Sequence, residues 1–189
     1  LEVRQGQKIQ DEVKKAAPGD TIRIYPGTYH EVLYIDKADI RIQGVIQSAQ
    51  WPVLDGKGEL NDGIIASGSG FTVENVVVRH YKANGVMTQG ADRVTIRHII
   101  VRDTGIYGIY PTLGDNIVIE DTITSGIADA AIYIGQSTHV DVRRNETYDS
   151  VAGIEAENSS YVLIEENYVH DNAGGILVFA LPGLPRKVS

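Results

Sequence analysis

Apolar and polar residues alternate over short stretches along most of this chain. In Val94-Thr95-Ile96, for example, two apolar side chains flank a polar one, so the apolar pair falls on one face of an extended strand. Segments rich in Gly, Asp and Asn separate such stretches. This pattern predicts many short strands, each with one buried face, and it differs from the spacing of an amphipathic helix.

The strand-like stretches repeat through residues 71–183 in five lines of about 23 residues. One apolar column has successive members 23, 23, 23 and 22 positions apart by subtraction: Val73, Ile96, Ile119, Val142 and Ile164. A second column follows it by 12 or 13 positions: Val86, Ile109, Ile132, Ile154 and Ile176. A repeat of this length predicts a solenoid, because each unit buries its apolar face only by stacking on its neighbours.

These repeats predict an all-β fold, a single-stranded right-handed parallel β-helix that occupies residues 1–189 as one domain. Residues 71–183 supply five regular coils, and residues 21–70 supply irregular first coils with a loop near 43–62. Residues 5–17 have apolar side chains on one helical face, and we expect a capping α-helix there. We expect the C-terminal end to be truncated or uncapped, and covered by further coils or by self-association.

Charge and composition remove several classes of function. Lys and Arg number 17 against 25 Asp and Glu, so the net charge is 17 − 25 = −8, which disfavours binding to nucleic acid or to an anionic membrane. The chain has no Cys, which excludes disulfides and thiolate catalysis. The longest apolar stretch, at 175–181, is too short for membrane insertion as a helix.

Two segments near the start, Pro18-Gly19-Asp20-Thr21-Ile22 and Tyr25-Pro26-Gly27-Thr28-Tyr29-His30-Glu31, resemble the opening of the pectate-lyase-like parallel β-helix superfamily. Three repeat segments, at 131–137, 153–159 and 174–179, are similar to exported bacterial β-helix repeat proteins of unestablished activity. The resemblance implies a secreted or periplasmic location. It also implies an acidic or neutral polysaccharide as partner, since the superfamily includes polysaccharide lyases, epimerases, hydrolases and esterases.

The resemblance further implies a ligand groove along one sheet, beside the turns that precede it. Outward positions of the strand at the second column then matter most, and they include Tyr110, Tyr133 and Glu155, with Glu157 next along the same strand. Tyr110 and Tyr133 would lie one coil apart, about 4.8 Å along the stack, as an aromatic ledge for sugar rings. Stacked tyrosines that only stabilise the sheet surface are the structural alternative.

The preceding turns are rich in titratable residues, among them His80, Arg102, Asp103 and Asp129. A lyase or epimerase needs a base for the C5 proton of a uronic acid, a cation for its carboxylate and an acid for the leaving oxygen. Tyr110 or His80 could be that base or acid, Arg102 the cation, and Asp103 a further member of this catalytic group. Charged residues that simply solvate exposed turns explain the same pattern.

Carboxyl groups in neighbouring coils allow two other kinds of chemistry. Asp129 with Glu155, or Asp103 with Asp129, could meet the spacing of about 5 to 10 Å that glycoside hydrolysis requires. Asp129, Asp149, Glu155 and Glu157 could also bind Ca²⁺, although no compact calcium-loop spacing is present. The five histidines show no metal-ligand spacing, so the sequence predicts no metal centre and no cofactor beyond that possible calcium.

The sequence thus leaves two hypotheses for function. The first is a protein that binds or modifies an extracellular or periplasmic polysaccharide, acting as a lyase or epimerase if it is an enzyme. The second is a noncatalytic structural or assembly solenoid, whose C-terminal edge stacks on another subunit or on further coils.

Overall fold

The computed structural model describes residues 1–184, and the final five residues of the predicted uncapped end, 185–189, lie outside the described residues. In chain order the elements are β1 (Glu2–Val3), α1 (Ile9–Lys15), β2 (Thr21–Ile24), β3 (Gly27–Tyr29), β4 (Leu33–Ile35), β5 (Arg41–Gly44), β6 (Pro52–Asp55), β7 (Ile64–Ala66), β8 (Thr72–Glu74), β9 (Val77–Arg79), β10 (Val86–Gln89), β11 (Val94–Arg97), β12 (Ile100–Arg102), β13 (Ile109–Thr112), β14 (Asp115–Glu120), β15 (Ile123–Ser125), β16 (Ala130–Gly135), β17 (Thr138–Arg143), β18 (Glu146–Tyr148), β19 (Ala152–Glu157), β20 (Ser160–Glu165), β21 (Tyr168–Val169) and β22 (Gly174–Phe179).

Each regular coil contributes one strand to each of three parallel sheets. Sheet A pairs its strands in the order β1-β2-β5-β8-β11-β14-β17-β20. Sheet B has the order β3-β6-β9-β12-β15-β18-β21, and sheet C has the order β4-β7-β10-β13-β16-β19-β22. Every strand therefore pairs with the equivalent strand one coil earlier or later, which is the arrangement of a parallel β-helix.

The two predicted apolar columns are confirmed as inward-facing ladders. In sheet A the pairing aligns Val73, Ile96, Ile119, Val142 and Ile164. In sheet C it aligns Val86, Ile109, Ile132, Ile154 and Ile176. All but the last member of each column are fully buried in one continuous core. Each such side chain contributes about 1.5 to 3 kcal/mol through burial, so the stack of inward columns is the main source of stability.

Buried asparagines join consecutive coils at the corner between sheets A and B. The side-chain oxygen of Asn145 accepts hydrogen bonds from the backbone N–H of Thr122 at 3.0 Å and from its hydroxyl at 2.7 Å. The Asn145 amide donates to the carbonyl of Ile119 and to the side chain of Asn167, both at 3.0 Å. Asn145 thus contacts the coil before it and the coil after it.

The capping helix is shorter than the predicted range 5–17. It begins at Ile9 and ends at Lys15, because Gly6 has φ +90° and turns the chain, and because Ala16 is already extended. The Glu31 carboxylate accepts from the backbone N–H groups of Ile9 and Gln10 at 2.9 and 3.0 Å, so a distant residue sets the helix start. The helix packs against β4 and β2 at the first coil. Within residues 1–184 no helix is long and apolar enough to cross a membrane.

The predicted loop near 43–62 is only partly a loop. Residues 52–55 form β6, which pairs with β3 and β9 inside sheet B. Leu54 supplies the inward side chain of this strand and is almost completely buried. The loops are confined to the segments on either side of β6. The sequence did not predict this strand because it has only one strongly apolar inward position and lies in a segment rich in Gly, Asp and Gln.

The last described coil exposes apolar side chains that its neighbour buries. Ile176 is 49% exposed and Val178 is 77% exposed, whereas their register partners Ile154 and Ala156 are buried. Within the described residues β22 pairs on one side only, with β19. This coil therefore presents an apolar surface and an unpaired strand edge, defined here as the terminal apolar surface.

We predict that Asn145→Ala lowers the free energy of unfolding by about 3 kcal/mol, because it leaves buried donors and acceptors of two coils without partners. Urea denaturation followed by circular dichroism measures the change. Asn61→Ala is the matched control, since Asn61 is exposed and its substitution should cost less than about 0.5 kcal/mol. Equal losses in the two variants would contradict a structural role for the asparagine contacts.

Candidate functional site

The outer face of sheet C carries an aromatic and acidic surface in three consecutive coils. Ile132 and Ile134 point into the core, so strand alternation places Tyr133 between them on the outer face. Glu155 is the register partner of Tyr133, and Glu157 follows on the same face. Tyr110 lies on β13, one coil before Tyr133.

Three tyrosine rings are in mutual contact on this face. Tyr107 stacks on Tyr133 with ring centroids 4.3 Å apart. Tyr110 meets both rings edge-on, at 4.8 Å from Tyr107 and 5.4 Å from Tyr133. The predicted ledge of Tyr110 and Tyr133 is therefore part of a larger group in which Tyr107, from the turn before β13, is the central ring.

Sequence reasoning missed Tyr107, although its column gives a signal. The equivalent positions in the next two coils are Ala130 and Ala152, and the rings pack against these small residues. One large aromatic residue in a column of small ones can lie across its neighbours, because they leave space on the surface.

Two carboxyl groups beside the rings are buried and lack partners. Glu155 is 9% exposed and Glu157 is 6% exposed, yet neither side chain makes a hydrogen bond or an ion pair with any residue in 1–184. Burial raises the pKa of both carboxyls, and the charge of Asp129 raises that of Glu155 further. Both groups are therefore shifted toward the protonated form.

Burial also affects the hydroxyl group of Tyr107. Burial raises the pKa of Tyr107 to about 12, with smaller contributions from the charges of Asp129, Tyr110, Glu155 and Glu157. The phenol therefore stays protonated at neutral pH and can donate a hydrogen bond. We call the six residues Tyr107, Tyr110, Tyr133, Asp129, Glu155 and Glu157 the tyrosine–carboxyl cluster.

Gly135 makes room for Tyr110 next to Glu157. Gly135 is the register partner of both Thr112 and Glu157, so it lies between the coils that carry the ring and the carboxyl. A Cβ at this position would approach Cε2 of Tyr110 to 3.2 Å, closer than ordinary contact. The absence of a side chain there leaves room for the Tyr110 ring.

A second group of titratable residues lines an open groove at the end of sheet B. The groove has a volume of about 600 Å³, and Asp55, His80 and Asp103 are among its lining residues. Nδ1 of His80 lies 3.0 Å from Oδ1 of Asp55, and Nε2 lies 3.6 Å from Oδ2 of Asp103. The imidazole is thus held between two carboxylates of different coils.

Asp55 accepts hydrogen bonds from three residues around this groove. Burial acts to raise its pKa, but hydrogen bonds from the backbone N–H of Lys57, from Arg79 and from His80 outweigh burial and lower the pKa. Nε of Arg79 donates to Oδ2 of Asp55 at 2.9 Å. Sequence reasoning missed Asp55 because it lies in the segment interpreted as a loop.

The structure divides the predicted site residues into two groups. His80 and Asp103 line the groove, and Arg102 is an exposed outward residue in register with Arg79 and with Ser125. The other predicted site residues belong to the tyrosine–carboxyl cluster at sheet C, together with Tyr107: Tyr110, Tyr133, Asp129, Glu155 and Glu157. Within residues 1–184 no hydrogen bond or ion pair joins the two groups.

The calcium site considered for Asp129, Asp149, Glu155 and Glu157 is not assembled. Among residues 1–184 no three side chains of His, Cys, Asp or Glu converge as a metal site. Asp149 lies in the turn after β18, where its backbone bonds to Asp171, whereas Glu155 and Glu157 lie on the outer face of sheet C. The oxygen ligands are therefore on different parts of the coil.

Fold and surface together define a class of protein, a parallel β-helix with an aromatic and acidic outer face. Residues 57–182 match the family described as right handed beta helix region. Since the match covers more than half of the chain, the protein belongs to this family. Comparison with curated proteins gave no match.

Solved structures with the same fold include carbohydrate-active enzymes. The mannuronan C-5 epimerase A-module of Azotobacter vinelandii superposes with a TM-score of 0.72 at 16% identity, covering 88% of this chain and 52% of that one. An alginate lyase from a Paenibacillus species has a TM-score of 0.71 at 14% identity, with 88% and 74% covered. A family 28 exopolygalacturonase of Yersinia enterocolitica has a TM-score of 0.67 at 12% identity, with 100% and 63% covered. The chain thus spans about half to three quarters of these proteins.

We predict that the buried carboxyls make the protein less stable as pH rises. Their folded-state pKa values are raised above those of the unfolded chain, so the folded state binds more protons between the two values. Their contribution to the free energy of unfolding should therefore fall as pH rises from about 4 through the raised pKa values. In denaturation experiments across this range, the free energy of unfolding of Glu155→Gln/Glu157→Gln should therefore rise with pH relative to that of the wild type.

The control for this experiment is Glu165→Gln/Glu166→Gln, which removes two exposed carboxyls from the following coil. Its pH dependence should follow that of the wild type. A Glu155→Gln/Glu157→Gln variant with the same pH dependence as wild type would show that the two carboxyls ionise normally.

Proposed function

We propose that this protein binds and modifies a polysaccharide along the outer face of sheet C. The observation that carries the proposal is the tyrosine–carboxyl cluster, in which three contacting rings adjoin two nearly buried carboxyls without partners. Aromatic faces suit the apolar faces of sugar rings, and carboxyl oxygens accept hydrogen bonds from hydroxyl groups. The column geometry extends this surface along the coil axis, as a polymer requires.

The carboxyls favour acid-catalysed cleavage of a glycosidic bond. Glu155, whose pKa is raised by burial and by the charge of Asp129, would donate its proton to the leaving oxygen as that bond breaks. Asp129, whose charge acts on Glu155, would accept a proton from the water that attacks the anomeric carbon. These are the two roles that glycoside hydrolysis assigns to a pair of carboxyl groups.

Elimination or epimerisation is the other reaction class that the residues support. His80 would be the base, oriented by Asp55, with Arg102 and Asp103 beside it and Tyr110 as a further proton donor or acceptor. The similar structures named as an epimerase, a lyase and a polygalacturonase support a polysaccharide as the substrate. They also support a secreted or periplasmic location. We favour the cluster because the sheet C residues contact one another, whereas Tyr110 does not contact His80.

Binding is tested first, on a glycan array and with soluble polysaccharides. We expect Tyr107→Ala/Tyr133→Ala to weaken binding by about tenfold or more, since each stacked ring contributes about 1 kcal/mol or more. Tyr34→Ala is the matched control, because Tyr34 is exposed on β4 of the first coil, three coils before Tyr110 and outside the cluster. Wild-type binding by the double variant would show that the ligand lies elsewhere.

The reaction is tested on the polysaccharide that binds. Hydrolysis releases new reducing ends, and Glu155→Gln should lower their rate of appearance by about a hundredfold or more. Elimination instead forms unsaturated products that absorb in the ultraviolet. If His80→Asn forms no unsaturated products but Glu155→Gln still does, the active site is the groove that contains His80.

A noncatalytic assembly role is the second candidate, and the terminal apolar surface favours it. An exposed apolar strand edge associates readily with an equivalent surface. Sedimentation velocity of wild type should then show association that rises with concentration and is lost in Val178→Lys. Monomeric wild type at all concentrations would argue against this candidate.

A further inference from the structure

We propose that the glycan bound at the tyrosine–carboxyl cluster contains amino sugars with free ammonium groups, rather than uronic acids. This inference rests on the proposed function, because it names the substrate class of the same surface. It departs from the acidic or neutral polymer expected from the sequence.

The charge of the cluster is the first argument. Asp129, Glu155 and Glu157 are all acidic, and none of the three forms an ion pair with Lys, Arg or His among residues 1–184. A uronate carboxylate bound on this surface would therefore lie near acidic groups, and none of these groups is paired with a cation. Ionised carboxylates without a cation repel one another most strongly at sites sheltered from water, as this one is.

The missing partners are the second argument. Native proteins rarely leave a largely buried carboxyl side chain without a protein donor, yet Glu155 and Glu157 have none among the described residues, so water is the donor that their carboxyl oxygens reach in the free protein. An ammonium group supplies three N–H donors together with a positive charge. Hydrogen bonds between charged partners are about twice as strong as neutral ones, so an amino sugar satisfies these carboxyls better than a hydroxyl does.

The aromatic rings give an independent third argument. Tyr107, Tyr110 and Tyr133 meet within 5.4 Å of one another beside the carboxyls. Tyrosine faces attract a cation within about 6 Å of the ring centroid, and partial burial strengthens this attraction. One sugar can therefore stack on a ring while its ammonium group lies between the ring face and a carboxylate.

The arrangement also explains how the cluster tolerates its own charge. In the free protein the raised pKa of Glu155 reduces its repulsion with Asp129, and burial shifts Glu157 in the same direction. An ammonium group nearby favours the ionised carboxyls, so binding releases protons to the solvent. The acidic column is thus compatible with a stable empty fold and with a positively charged ligand.

Isothermal titration calorimetry near pH 6 with three oligosaccharides of equal length tests the inference. The probes are oligomers of glucosamine, of N-acetylglucosamine and of galacturonic acid, which are cationic, neutral and anionic. We expect the glucosamine oligomer to bind at least about tenfold more tightly than the acetylated one, and the galacturonate oligomer to bind most weakly.

Glu155→Gln/Glu157→Gln should bring the affinities of the glucosamine and acetylated oligomers together. Glu165→Gln/Glu166→Gln removes the same number of formal negative charges outside the cluster, and it should keep the preference. A preference that falls equally in both variants would reflect the overall charge of −8 and would overturn the inference.

Two failures can be told apart. If the galacturonate or acetylated oligomer binds as tightly as the glucosamine oligomer, and Tyr107→Ala/Tyr133→Ala weakens that binding, the inference is wrong while the proposed function stands. If no oligomer or polysaccharide binds, or if Tyr107→Ala/Tyr133→Ala leaves the affinity unchanged, both the inference and the proposed function are wrong.

Discussion

In-register stacking of one coil on the next is the constraint on which this structure depends. Each inward position must hold a side chain that packs against the side chain that the next coil presents at the same place, as Ile109 and Ile132 do. Backbone hydrogen bonds then join every strand to its equivalents at a fixed spacing. Outward positions escape the constraint and line up as columns. A solenoid can therefore vary its surface chemistry without altering its core.

The tyrosine–carboxyl cluster uses this freedom in an unusual way. Outward residues of a sheet are normally solvated, yet Glu155 and Glu157 are nearly buried on the outer face. Tyr107 contributes to this burial because it leaves the turn, crosses small residues and lies against Tyr133. The resulting environment raises the pKa of both carboxyls and leaves them without donors. A chemically distinctive surface thus arises from one large residue in a column of small ones.

The sequence predicted the fold well because the repeat length of a solenoid determines which residues of neighbouring coils pair. The anchors of residues 71–183 needed no tertiary information, since their spacing alone places each strand on its neighbour. The helix limits needed more, because Glu31, from the segment between β3 and β4, caps Ile9. The candidate site was predicted in part: column positions gave Tyr133 and Glu155 as register partners. Periodicity says nothing about the path of a turn, and so it missed Tyr107 and could not show that His80 and Tyr110 lie apart.

The contact between Phe179 and the tyrosine–carboxyl cluster has a consequence for how neighbouring coils hold together. In a linear array each coil is held only by its neighbours, so coils can open locally. Phe179 belongs to the last described coil and packs against the group that contains Tyr133. A ligand that spans the outer face would therefore hold these coils together and couple occupancy of the surface to resistance against proteases.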